Sequence, residues 1–389
     1  MTTYLLAGGG TAGHVNPLLA VADRIRDREP DAVVLVLGTK EGLESRLVPE
    51  RGYELLTIAR LPFPRRPSRA ALSFPGRFRG AIDDIRGYIR DRGVDVVVGF
   101  GGYASAPAYV AASRESVPLV IHEANAKPGM ANKLGARFTK FVGVAFEGTS
   151  LPHATVVGMP LRREVEQLDR HAAKAEGLAA FGLDGSKPVL LVTGGSTGAR
   201  SINATVAASV ELILGLGWQV LHIAGAQSEI TDPGLDGYRL MKYCDRMDLA
   251  IAVADLAVSR SGSATVSELS AVGIPAVYVP YPVGNGEQRF NARGVVAAGG
   301  AILIDDASFT PDWVAQTLVP LLSDRAAIAE LAARAITVGV LDGADRMVDL
   351  VSRAAATPVK STKCSSPISP RSSPPSSVPS TSSESADPG

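Results

Sequence analysis

Residues 4–16, YLLAGGGTAGHVN, leave the chain little choice of local structure. An apolar run reads as a buried strand. Gly8, Gly9, Gly10 and Gly13 then remove side chains where a backbone must turn sharply or approach a ligand. Pro17 suits the first turn of a helix, where its missing N–H would be unpaired anyway. Leu18, Leu19, Val21, Ala22 and Ile25 follow with helical spacing. The open N–H groups of such a helix attract anions, phosphates above all. His14 lies within this turn, as either a proton-transfer group or a packing residue. A second unit of the same kind begins at 188–193 (PVLLVT), continues through Gly194, Gly195 and Gly198, and opens a helix near Ala199. Two such units in one chain predict two domains of the same architecture.

The rest of the chain fits that reading. Apolar runs at 33–37, 55–58, 94–99 and 117–122 precede the second unit, and others at 218–224, 256–259, 276–279 and 301–304 follow it. Helix-length segments separate them, which argues for parallel sheets covered on both faces. Ligands of open parallel sheets bind beyond the carboxyl ends of the strands. Residues 8–14, 101–103 and 123–125 are therefore expected to share one cleft edge. Residues 163–181 and 311–340 read as helical. From about residue 357 Ser and Pro dominate, and such a tail is expected to be disordered.

The 389 residues suffice for two full cores. Zero formal net charge argues against nucleic acid as a partner. Cys244 and Cys364 are too few and too far apart for a disulfide framework or metal knuckle. No basic region followed by an apolar stretch opens the chain, and no uncharged run reaches about 18 residues. A cytoplasmic protein, free or on a membrane surface, is expected. Residues 60–92 depart from the neutral average, with nine arginines against three acids and a local excess of +6. Phe63, Phe74 and Phe78 lie among Arg65, Arg66 and Arg77. This is either a solvated helix face or a surface for anionic lipid, with basic residues at the headgroups and aromatic ones in the interface.

Gly8, Gly10 and Gly13 match the dinucleotide fingerprint literally, but the second strand ends Gly38-Thr39-Lys40 where that reading needs an acid. The second half is more informative. Residues 259–268, SRSGSATVSE, follow a strand and open a helix whose N–H groups can hold phosphate. Glu268, read as part of the first turn, either accepts from ribose hydroxyls or complements the helix dipole. The loop 281–291, rich in glycine and amides, suits sugar hydroxyls, with Gln288 both donor and acceptor.

These stretches resemble the bacterial cell-wall glycosyltransferases of family 28, which move N-acetylglucosamine from UDP-N-acetylglucosamine onto lipid I to make lipid II. The motifs are GGGTAGHVNP at 8–17, GFGGY at 99–103, HEANAKPGMANK at 122–133, VVGMPLR at 156–162, GGSTGAR at 194–200, SRSGSATVSELSAVGIPA at 259–276 and GNGEQRFNA at 284–292. Met159, Thr197 and Glu287 depart from the commonest pattern. The resemblance implies an α/β fold of two facing Rossmann-like domains with an interdomain cleft. Residues 1–161 would form the acceptor domain and 162–340 the donor domain, with a helix at 341–356 packing back on the first. It implies that Thr11, Ala12, Gly13 and Asn125 approach the donor sugar and phosphates. Arg162 would serve the nucleotide, Ser196 a phosphate, and the backbone of Cys244 the uracil. Ser263, Ala264 and Thr265 would hold the diphosphate by N–H groups, Glu268 the ribose and Gln288 the sugar. Phe63, Arg65, Arg66, Phe74, Arg77 and Tyr103 would form the acceptor and membrane surface.

The implied reaction is a one-step inverting displacement with His14 as base, and Glu123, on a neighbouring strand tip, as the alternative. No Asp-x-Asp motif stands where a metal would bridge a diphosphate, so neither metal nor cofactor is expected. Expected partners are UDP-N-acetylglucosamine, undecaprenyl-linked lipid I, the anionic cytoplasmic face of the cell membrane, and the cell-wall and division machinery. Two other readings compete: a UDP-N-acetylglucosamine epimerase of the same architecture, and a non-catalytic sugar-nucleotide-binding protein.

Overall fold

Among the described residues, thirteen short strands, nearly all rich in Val, Ile and Leu, assemble into two sheets. The computed structural model describes residues 1–64, 69–195, 197–283 and 285–357. Arg65, Arg66, Ser196 and the tail from residue 358 lie outside the described residues.

The first sheet holds β1 (Thr3–Ala7), β2 (Val33–Gly38), β3 (Glu54–Thr57), β4 (Val96–Gly99), β5 (Leu119–Glu123), β6 (Phe141–Val144) and β7 (Ala154–Val156). Their order is β3-β2-β1-β4-β5-β6-β7. The second holds β8 (Val189–Thr193), β9 (Gln219–Ile223), β10 (Tyr238–Met241), β11 (Leu256–Ser259), β12 (Ala276–Tyr278) and β13 (Ala301–Leu303), in the order β10-β9-β8-β11-β12-β13. Every pairing is parallel. In both sheets the order reverses beside the strand that feeds the glycine turn, the switch point where doubly wound folds open a crevice.

Side-chain alternation explains why both faces are covered. Leu5 and Ala7 pack on one face of the first sheet with Ile85, Tyr109 and Ile121. Tyr4 and Leu6 pack on the other with Leu18 and Ile25 of the helix Ala12–Arg28, and with Met347 and Val351 of the helix Gly343–Ala355. The chain therefore ends its described part on the sheet where it began. In the second lobe Leu190 and Val192 face one core, Val189 and Leu191 the other.

Three strands have no counterpart in the sequence reading: β6, β7 and β10. The three residues of β7 are all exposed, so no apolar run marks it. Gly143 interrupts β6, where a Cβ would press on Val157 and on Met347 of the returning helix. The 311–340 segment is not one helix. It divides into Pro311–Trp313, a wide π turn Val314–Leu318, Val319–Ser323 and Arg325–Ala335. Pro320 lacks the N–H that an uninterrupted helix needs, and Asp324 caps the next segment by accepting from Ala327 N–H at 3.0 Å. Residues 163–181 divide likewise, at Asp169, whose carboxylate accepts from His171 and Ala172 N–H.

Candidate active site

The carboxyl ends of β1, β4 and β5 meet at one point. Gly101 and Gly102 both have positive φ, +88° and +85°. A Cβ on Gly102 would lie 2.5 Å from Gly9 O, and one on Gly101 3.1 Å from His14 Nε2. Only glycine lets these two turns touch. The expected cleft edge is thus present, and His14 stands on it, partly exposed at the start of the helix Ala12–Arg28. Thr11 occupies the N-cap without a side-chain cap bond, its Oγ1 lying 3.3 Å from His14 Nδ1 instead. Ala12 and Gly13 accordingly start a 17-residue helix whose first N–H groups no side chain closes.

Burial lowers the His14 pKa below its ordinary value, against the opposing charges of Glu123 and Glu44. The imidazole is therefore neutral at neutral pH and able to take a proton. Glu123 is differently placed. It is 3% exposed and accepts from Asn125 N–H, Gly129 N–H and Asn132 Nδ2, each at 2.9 Å. Both its oxygens are committed to holding the 123–132 turn. Next to it His122 is fully buried, with Nε2 3.0 Å from Gly158 O and burial lowering its pKa to about 4.

The second lobe supplies another open helix start. The helix Ser263–Ala271 follows Gly262, which gives no side-chain cap. Ser263, Ala264 and Thr265 form its first turn. Glu268 stands in the second turn, not the first as the sequence reading had it. Arg162 Nε and Nη2 both donate to Glu268 Oε1, at 3.0 and 2.8 Å. Burial opposes the charge on Arg162, but Glu268 more than restores it. Among the described residues Glu268 Oε2 takes no bond. Cys244, 6% exposed, lies within the field of Arg162, and burial raises its thiol pKa. Gln288 Oε1 accepts from Tyr281 N–H at 2.9 Å, and among the described residues its amide hydrogens take no partner.

The two lobes are joined through Asn291, which the sequence reading did not single out. Its Oδ1 accepts from Ala126 N–H at 2.9 Å, and its Nδ2 approaches Asn125 Oδ1 and Ser261 O, both at 3.3 Å. Bonds therefore run from Glu123, whose charge acts on His14, through Asn125 and Asn291 to Ser261, two residues before the helix start at Ser263. A cavity of about 600 Å³ reaches Ala126 and Asn291 and is lined by both lobes and both linkers, including Phe146, Val266, Val338 and Val340. Arg260, within the phosphate-like motif, points elsewhere. It binds Asp306, Ser201 Oγ and the carbonyls of Val279 and Pro280, and so braces the loop.

On the outer face of the first lobe, Phe63, Phe74 and Phe78 form a ladder with centroids 5.5 and 5.7 Å apart. Phe74 belongs to the helix Arg69–Asp91. Phe63 and Leu72 are 55% and 84% exposed. Arg60 stacks on Tyr103 at 5.2 Å and its carbonyl accepts from Arg77. The positive excess is not uniform, because Arg86 and Arg90 pair with Glu115, and Arg92 with Glu54.

The glycosyltransferase family 28 N-terminal domain matches residues 4–144, and the family's C-terminal domain matches residues 189–347. A relative from Leifsonia xyli subsp. xyli is 65% identical over 90% of this chain and 98% of its own. Its name is UDP-N-acetylglucosamine--N-acetylmuramyl-(pentapeptide) pyrophosphoryl-undecaprenol N-acetylglucosamine transferase. The chain belongs to glycosyltransferase family 28. Within family 28 geometry, the crystal structure of Acinetobacter baumannii MurG superposes with a TM-score of 0.75 at 27% identity, covering 91% of this chain and all of that one. A UDP-GlcNAc 2-epimerase from Neisseria meningitidis, bound to UDP-GlcNAc, reaches 0.66 at 14% identity, over 91% of this chain and all of its own. That second likeness is one of fold alone. A family 28 chain is a glycosyltransferase, and the two facing parallel-sheet lobes are the architecture on which it works.

Proposed function

We propose that this protein transfers N-acetylglucosamine from UDP-N-acetylglucosamine to the C4 hydroxyl of the muramyl sugar of lipid I, forming lipid II. The observation that supports this reading is that Asn291 ties the Asn125 turn of the first lobe, on whose neighbouring strand tips His14 and Glu123 stand, to Ser261 just before an uncapped helix start on the second. Residues 1–161 form the acceptor domain and 162–340 the donor domain. The donor diphosphate sits on the N–H groups of Ser263, Ala264 and Thr265, with Ser196 contributing to a phosphate. The free Oε2 of Glu268 accepts from ribose while Oε1 keeps Arg162 in place, and the Cys244 backbone reads the uracil. Asn125 and the free amide of Gln288 bind sugar hydroxyls. Thr11, Ala12 and Gly13 close over the donor from the acceptor side.

His14 takes the proton of the C4 hydroxyl as that oxygen forms its bond to the anomeric carbon. The bond from that carbon to the diphosphate breaks on the opposite face, inverting the centre. UDP leaves with its new charge held by helix N–H groups and Arg162. The three donors bound by Glu123 favour His14 over Glu123 as base. No metal is assigned to the chemistry, since no Asp-x-Asp motif stands in the sequence where one would bridge the diphosphate. The exposed Phe63 and Leu72, with Phe74, Arg65, Arg66, Arg77 and Tyr103, rest on the anionic cytoplasmic face of the membrane as a peripheral surface. Among the described residues no helix is long and apolar enough to cross it.

Incubation with labelled UDP-N-acetylglucosamine and a lipid I analogue tests the reading. Label should move to the analogue with or without EDTA, and His14→Ala should lower turnover on the order of 100-fold while UDP still binds. Conversion of UDP-N-acetylglucosamine without any acceptor would overturn it in favour of an epimerase.

A further inference from the structure

Glu44 is a carboxylate with no obvious reason to be buried. It begins the short helix Glu44–Glu50 and is 1% exposed. Its Oε2 accepts from Gly10 N–H at 2.8 Å, inside the glycine turn that precedes His14. Its Oε1 accepts from Thr39 N–H at 2.9 Å and Thr39 Oγ1 at 2.8 Å. Three glycines from two turns make room for it, since a Cβ on Gly9, Gly38 or Gly42 would overlap the Glu44 side chain. Burial pushes its pKa up, but the bonds from Gly10 and Thr39 outweigh that and keep the carboxyl ionised. An ionised, fully bonded carboxylate in a glycine socket is a rigid strut. It also takes Gly10 N–H out of any role in binding phosphate.

We propose that Glu44 is a positioning residue for the transfer reaction, clamping the glycine turn so that Thr11 to His14 meet the two substrates at a set place. The inference rests on the reading of His14 as base. A released turn can shift by an ångström without unfolding the lobe, and a misplacement of that size costs on the order of 100-fold in rate. The groups that act on His14 by charge are Glu44, from the helix after β2, and Glu123 and His122, from β5. Loss of the Glu44 charge therefore lowers the His14 pKa further.

The test is Glu44→Gln, whose amide nitrogen or oxygen cannot satisfy both Gly10 and Thr39 as the carboxylate does. With UDP-N-acetylglucosamine and a lipid I analogue, kcat should fall roughly 10-fold to 100-fold. The affinity for UDP, measured by calorimetry, should stay within about twofold of wild type, because the nucleotide is held by the second lobe and among the described residues Glu44 bonds only to Gly10 and Thr39 of the first. The acid limb of the kcat profile should move to lower pH. Gly42→Ala crowds the carboxylate without removing its charge, and should lower kcat too; it carries the test if Glu44→Gln does not fold. A folded variant with wild-type kcat would overturn the proposal, and so would parallel loss of kcat and UDP affinity, the mark of general damage. His14→Ala, run alongside, separates the two claims. Normal turnover there sinks the base assignment, whereas its loss together with a normal Glu44→Gln sinks only the strut.

Discussion

Three buried or half-buried histidines respond to pH for one reason: burial disfavours their charged form. For His14, in its proposed role as base, the consequence falls on the rate. The acid limb of kcat/KM should have its midpoint below the ordinary histidine value of about 6.5, read from rates with the donor and a lipid I analogue. For His122 and His222 it concerns stability. Each has its pKa lowered to about 4 by burial, so the folded state stays unprotonated while the unfolded chain takes up protons. Their contribution is complete above about pH 6.5 and is lost as pH falls toward 4, at up to ~1.4 kcal/mol per pH unit for each histidine. Melting temperatures recorded across that window should fall steadily, and His222→Gln should flatten the slope. At this scale His14 was legible because glycines flank it. Glu44 was not, since nothing in the local sequence marks a glutamate whose partners lie in another turn.

Among the elements, the glycine turns and the basic helix behave in opposite ways. The turns are tightly determined. Gly102 combines a positive φ with a 2.5 Å approach to Gly9 O, so Gly102→Ala should push the two turns apart. Turnover should then drop on the order of 10-fold or more, with the fold retained by circular dichroism. The helix Arg69–Asp91 is amphipathic, but part of the basic charge over residues 60–92 is neutralised. Among the described residues, Arg60, Arg77 and Arg79 have no acidic partner, whereas Arg86, Arg90 and Arg92 are paired. Charge reversal of Arg77 and Arg79 should therefore reduce cosedimentation with anionic vesicles severalfold, at about 1 kcal/mol per residue. Reversal of Arg90 and Arg92 should change it much less. Composition displayed the excess of arginine, but Glu54 and Glu115, which neutralise part of it, come from other elements.

For the whole molecule, the two lobes depend on how linkers and the last helix return. Arg24, on the helix that His14 opens, bonds Glu166 at 2.7 Å beyond the linker and also Asp345 on the closing helix. Arg28 joins Asp345 and Asp349, and Arg163 joins Asp27. Gly158 and Gly343 let the linkers touch, since a Cβ on either would overlap Val340 or Met159 O respectively. Arg24→Ala strands Glu166, which is 13% exposed, and takes from Asp345 one of its two arginine partners, and should cost about 1–2 kcal/mol by urea denaturation. The cost should shrink when Asp345 is removed as well, because the pair then leaves together.

The amino-acid sequence alone determined what depends on neighbours along the chain. Runs of Val, Ile and Leu bounded by glycine specify buried parallel strands, and the turn at 8–14 and its counterpart after β8 specify helix starts open to anions, because backbone sterics and burial act over a few residues. The two sheets of family 28 followed from those local signals. Tertiary structure decided which carboxylate is free and which is spent. Glu123, Glu44 and Glu268 are the same residue type beside similar motifs, yet the first secures its own turn, the second a distant glycine loop, and the third keeps one oxygen open beside Arg162. For Glu44 and Glu268 that outcome depends on donors, Gly10 N–H and the Arg162 guanidinium, brought from remote parts of the chain to about 3 Å, and such contacts carry no trace in linear spacing.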